Sequence, residues 1–99
     1  MMMLVCFKLT QDNPEFLAEL KSLGNWSNRI DGAWILETKI NPRQVRDLLG
    51  AKMKDGDRLF IARITEAWAG RNMGQGFPEW IQRREFGFRY GVGETVDRV

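Results

Sequence analysis

The chain predicts an α+β fold, a four-stranded antiparallel sheet with two helices on one face, and three observations carry that prediction. Four short runs concentrate or alternate apolar residues with the period of strands. Two other segments open on the same Asn-Pro pair and then space their apolar residues as a helix does. These segments follow one another as strand, helix, strand, strand, helix, strand.

The first run is MLVCFKL, residues 3–9, and the turn-forming residues 10–14 behind it favour a strand over a helix. Alternation sends Met3, Val5, Phe7 and Leu9 to one face, the expected core face, and Leu4, Cys6 and Lys8 to the other. The second set is apolar as far as Lys8, so a partner is expected to cover that face as well. Asn13 and Pro14 then read as N-cap and first residue of a helix running to Leu23, with Phe16, Leu17, Leu20 and Leu23 as its apolar stripe and Gly24 as its left-handed cap.

NWSNRI, residues 25–30, is the weakest of the four strands, and Asp31-Gly32 behind it is the strongest hairpin signal in the chain. AWILET, residues 33–38, returns with Trp34 and Leu36 on one face and Ala33, Ile35 and Glu37 on the other. Asn41-Pro42 opens the second helix, whose stripe is Val45, Leu48 and Leu49 and whose end is Gly50. After the tight turn of residues 55–57, RLFIARI, residues 58–64, forms the fourth strand, with Leu59 and Ile61 opposite Phe60, Ala62 and Ile64. Both helices packed on one face of such a sheet make the ferredoxin-like βαββαβ arrangement.

Beyond this core of residues 1–64 the character changes. Gly70 to Gly76 is Gly-rich, Pro78 starts a short helix holding Trp80 and Ile81, and EFGFRYGV, residues 85–92, reads as a fifth strand weakened by Gly87 and Gly91. A lone edge strand invites pairing, so residues 65–93 are expected to end in a strand exchanged with a second copy, with 94–99 as a tail to one 99-residue domain. The loop GRNMGQG lacks the Lys-Ser/Thr ending of a nucleotide-binding P-loop and reads as a flexible connector.

Composition removes several function classes. The absence of His excludes Ser-His-Asp and Cys-His catalysis and His-ligated zinc, and the single Cys6 excludes an internal disulfide or a cysteine zinc cluster. No basic region precedes the first apolar run, which is too short for a signal peptide or a membrane span, so a cytoplasmic protein with no membrane partner is expected. The net charge of +2 permits a nucleic-acid surface without requiring one.

SLGNWSNRIDGAWILET in the first hairpin, INPRQVRDLL in the second helix, DGDRLFIARIT in the fourth strand and the later AWAG together resemble small proteins related to the second CRISPR-associated protein, and most of all the stand-alone relatives labelled SinR. The likeness spans about residues 3–84. It implies a ferredoxin-like homodimer serving antiviral defence, with a spacer-integrase-like protein and duplex DNA or RNA as partners. In that family the first strand ends in an aromatic residue and Asp, and paired carboxylates of a dimer are proposed to hold magnesium for phosphodiester hydrolysis. Here the pair is Phe7-Lys8, and an ammonium cannot replace a carboxylate as a ligand to a hard cation. Asp12, four residues on in the turn, is the candidate substitute and the catalytic candidate of a magnesium-dependent nuclease; otherwise no metal or cofactor is expected.

Lys8 suits a phosphate instead, and Arg43, Arg46, Arg71, Arg83 and Arg84 are the further candidates for a nucleic-acid surface, with Lys52 and Lys54 nearby in sequence. Arg43 and Arg46 share a helix face, although Asp47, Asp55 and Asp57 interleave with these cations as on an ordinary solvated face. Of the four Trp, Trp34 and Trp80 read as core, leaving Trp26 and Trp68 as stacking candidates. The homodimer interface is expected at Leu4, Cys6, Trp34, Leu36, Phe86, Phe88 and Tyr90. The leading expectation is thus a non-catalytic homodimeric scaffold for nucleic acid or protein. The alternatives are the displaced-carboxylate nuclease and a pure interaction module using the Trp68 to Trp80 surface.

Overall fold

The computed structural model describes residues 1–86. Strands β1 (Met2–Lys8), β2 (Asn25–Ile30), β3 (Ala33–Glu37) and β4 (Arg58–Ile64) form one antiparallel sheet in the order β2-β3-β1-β4. Helix α1 (Pro14–Lys21) links β1 to β2, α2 (Pro42–Gly50) links β3 to β4, and the short α3 (Phe77–Gln82) follows β4. This α+β architecture is compatible with the ferredoxin-like expectation.

Both long helices begin as their Asn-Pro openings predict. Asn13 accepts the Phe16 N–H at 3.0 Å, and its amide donates to the Lys52 carbonyl at 2.7 Å, so one cap also ties α1 to the chain leaving α2. Asn41 and Gln44 form a reciprocal capping box. Helix α1 stops at Lys21, short of Leu23, and its cap is Ser22 in right-handed geometry. Gly24 serves a different need from the expected helix cap: any Cβ there would overlap the Glu37 carbonyl oxygen as the chain enters β2.

Register decides which face each strand residue takes. Met3 pairs with Leu36 and Val5 with Trp34, so all four lie on the helix-covered face, where they meet Phe16, Leu20, Val45 and Leu49. Phe7 packs at 5.0 Å from Phe16 and 6.1 Å from Trp34, between ring centres. Leu48, expected in the stripe of α2, points outward, leaving Val45 and Leu49 to make the contact.

The opposite face is only partly bare. Helix α3 and the segment after it fold back over one end, burying Phe77, Ile81 and Phe86 against Met2, Ile35 and Ile64. This corrects three interface assignments. Trp34, 6% exposed, and Leu36, 0% exposed, are sealed in the subunit's own helix-side core, and Phe86 is buried in the second cluster, so none of the three is free for a second copy. Leu4 and Cys6 do lie on the opposite face, half-buried. Phe88 and Tyr90 lie outside the described residues, as does the expected fifth strand beyond Phe86.

The Gly-rich connector is organised within the fold. Arg29 donates to the Met73 carbonyl at 2.9 Å and to the Gln75 carbonyl at 3.0 Å, and Gly74 (φ +99°) has its Cα where a side chain would strike that guanidinium. Two strong donors on one rigid fork thus hold the loop that launches α3.

Candidate nucleic-acid interface

On the sheet face away from α1 and α2, residues line up in rows across the strands. Asn25, Glu37, Met2 and Ile64 make the first row, and Ser27, Ile35, Leu4 and Ala62 the second. The third is Ile30, Ala33, Cys6 and Phe60, and beyond it Lys8 stands directly opposite Arg58. A β-bulge between Ser27 and Ile30 keeps Ile30 on this face despite the extra residue.

Glu37 closes the first row. Its carboxylate accepts the Asn25 amide at 2.8 Å, the Arg84 guanidinium at 3.1 Å and the Glu85 N–H, and the Arg84 guanidinium also lies 4.9 Å from the Trp80 ring centre. Burial favours the neutral acid, but the Asn25 and Glu85 hydrogen bonds, Arg84 and the N-terminal ammonium outweigh it and hold the carboxyl below the usual glutamate range. Arg84, expected on a nucleic-acid surface, is instead a largely buried ion-pair partner that fastens the chain after α3.

Among the described residues, the other end of the face is open. Phe60 is 67% exposed and Ile30 52%, with only Ala33 and Cys6 between them. Lys8 and Arg58 are neighbours of like sign in a cross-strand pair, an arrangement that costs stability unless an anion lies between them. Neither β1 nor β4 carries an acidic residue, and neither cation takes part in an ion pair among the described residues. Asp57, next to Arg58 in sequence, is engaged elsewhere. The Lys54 and Thr10 N–H groups and the Thr10 hydroxyl bind its carboxylate and hold its pKa below the usual aspartate range.

Two concavities meet at Phe60. One, of about 290 Å³, is lined by Cys6, Lys8, Gly32, Arg58 and Phe60. The other, about 380 Å³, runs along the outer edge of β4 between Arg43, Arg46 and Leu59 to Ile61. Phe60 thus borders both concavities, one holding Lys8 and Arg58 and the other Arg43 and Arg46. Arg46 is shared with Asp47 at 2.7 Å, a pair so exposed that it is worth little.

The remaining sequence candidates are dispersed. Arg71 borders a small pocket with Trp68, Met73 and Phe77, and Arg83 borders a cleft at the β2 edge with Trp26 and Trp80. Trp26 stacks at 4.9 Å on Trp34, with the Lys21 ammonium 5.5 Å from its ring, and Trp68 meets Phe77 edge-on. Asp12 is exposed in the turn before α1, and among the described residues no three His, Cys, Asp or Glu side chains converge as a metal site would require. No helix among them is long and apolar enough to cross a membrane.

Phe60 and Arg58 are the members of this candidate cluster that the sequence pattern does not single out. The available signal was their i, i+2 spacing on β4, which places both on the face opposite Leu59 and Ile61; only the register opposite Lys8 turns that spacing into a cluster. Comparison with family models, with curated proteins and with solved structures gives no match for this chain.

Proposed function

We propose that this chain is a non-catalytic, ferredoxin-like scaffold that holds nucleic acid through phosphate contacts around β4. The observation that carries this reading is the exposed Phe60 ring set among Lys8, Arg58, Arg43 and Arg46. Cations that track a backbone, interleaved with an aromatic on which a base can stack, are the chemistry of nucleic-acid grooves. Under the resemblance to the CRISPR adaptation subunit, the protein partner would be a spacer-integrase-like enzyme.

Fluorescence anisotropy with labelled oligonucleotides across a salt series tests the proposal. Affinity is expected to fall steeply with salt, and each of Lys8→Glu and Arg58→Glu to reduce the slope by about one. Failure to bind any oligonucleotide at low salt removes the reading, and magnesium-dependent cleavage lost in Asp12→Ala replaces it with the nuclease.

A second reading, a homodimer across the open end of this face, is favoured by the exposure of Ile30 and Phe60. Light scattering at micromolar concentration separates the two, since a dimer buries the ring that the first reading leaves free.

A further inference from the structure

We infer that the open end of the sheet is a slot for one unpaired base, so that the ligand class is single-stranded nucleic acid; the inference rests on the nucleic-acid reading above. The third row supplies the shape. Its two central residues, Ala33 and Cys6, are small, and its outer ones, Ile30 and Phe60, are large and exposed. Ile30 and Phe60 stand three strand spacings apart, roughly 14 Å, which makes a trough with a low apolar floor and a raised wall on each side.

The next row supplies the charge. Lys8 and Arg58 face each other across β1 and β4 with no carboxylate on either strand, so an anion between them relieves their mutual repulsion. Arg58 and Phe60 are two residues apart on one face, about 6.8 Å, and a nucleotide whose phosphate sits between the cations therefore carries its base to the ring. That base must offer its flat face. In a duplex each base is covered above and below by its neighbours, whereas an unpaired base is free to lie on Phe60 over the Cys6 and Ala33 floor. The groove past the outer edge of β4, with Arg43 and Arg46, receives the adjoining phosphates.

Helix α3 sets the limit of the slot. Ile35 in the second row already packs against the cluster of Phe77, Ile81 and Phe86, so on β3 the bare floor is one row deep. One stacked base is what that depth admits, with the rest of the strand held by charge.

The test uses the full chain with labelled oligo-dT, oligo-U and a blunt duplex of equal length, each titrated at several salt concentrations. The single strands are expected to bind at least tenfold tighter than the duplex. Phe60→Leu should weaken single-strand binding by roughly tenfold, within the range of one lost base stack, while Phe60→Tyr retains it and neither change alters duplex binding. Circular dichroism of both variants checks that they are folded, which the exposure of Phe60 favours. Equal binding of single strand and duplex, with Phe60→Leu silent on both, overturns the slot and leaves the phosphate-binding reading standing. Absence of binding by all three ligands overturns both, and a dimer that persists with excess oligonucleotide overturns the slot.

Discussion

The two ends of one sheet face have opposite fates. At one end, Met2 is buried and Ile35 and Ile64 are partly covered by Phe77, Ile81 and Phe86, and the Glu37 carboxylate, itself held by Asn25, fastens the covering segment through Arg84 and Glu85. At the other, four or five residues away along the same strands, Phe60 and Ile30 face solvent and two like charges stand side by side. Among the described residues, α3 and the segment to Phe86 are what cover this face, and they pack on the first end. The exposed ring and the like-charged pair thus share one end of the face, while the packed cluster occupies the other.

The largest effect expected from this difference lies at the covered end. Ile81→Ala should cost about 2–5 kcal/mol in urea denaturation, as a fully buried side chain is removed from a packed cluster, whereas Phe60→Ala should change stability by no more than about 0.5 kcal/mol. Similar costs for both would mean that the two ends are packed alike. Next in size is Glu37→Gln, which should cost about 1–3 kcal/mol near neutral pH, because the largely buried Arg84 loses its counter-charge.

That loss has a pH signature. Glu37 ionises more readily folded than unfolded, so its contribution is complete above the ordinary glutamate range and fades as pH falls through the lowered folded value. Wild type and Glu37→Gln should therefore converge in acid; a constant gap down to the acid limit would assign the effect to something other than the charge. Asp57→Asn serves as the control, since that carboxyl is also held below its usual range and its loss in acid must be separated from that of Glu37.

Arg29→Ala follows, with an expected loss of about 1 kcal/mol as two hydrogen bonds to the 70–76 loop are replaced by bonds to water. Amide exchange should quicken in that loop before it does in β1. The smallest effect has the opposite sign: Lys8→Glu should stabilise the free protein by roughly 0.2–1 kcal/mol, by exchanging a like-charged cross-strand pair with Arg58 for an attractive one, while it weakens oligonucleotide binding. Unchanged or reduced stability in that variant would mean that Lys8 and Arg58 do not repel.

Much of the architecture is legible in the residues. Asn13-Pro14 and Asn41-Pro42 announce both long helices, Asp31-Gly32 announces the hairpin, and β4 runs from Arg58 to Ile64 as its alternation requires. What local pattern cannot show is which of two apolar faces the helices choose. Trp34 and Leu36 look as available to a partner as Leu4 and Cys6 do, until the pairing of Val5 with Trp34 puts them under α1 and α2. Nor does it show how far α3 reaches, because six residues are too few to establish a period. Lys8, Arg43 and Arg46 were legible as cations, but their assembly around Phe60 depends on contacts between distant segments, and Arg84 gave no sign in sequence that Glu37 would claim it.

The supernumerary residue in β2 has a mechanical consequence. Within that irregular stretch, Arg29 grips the 70–76 loop while its neighbour Ile30 forms a wall of the trough. Deleting Asn28 would restore even pairing with Ile30 still opposite Ala33, but would set Arg29 opposite Trp34 and so on the other face, away from the loop it holds. The insertion thus serves the loop, whereas the trough's wall rests on the pairing of Ile30 with Ala33, and the two should respond separately.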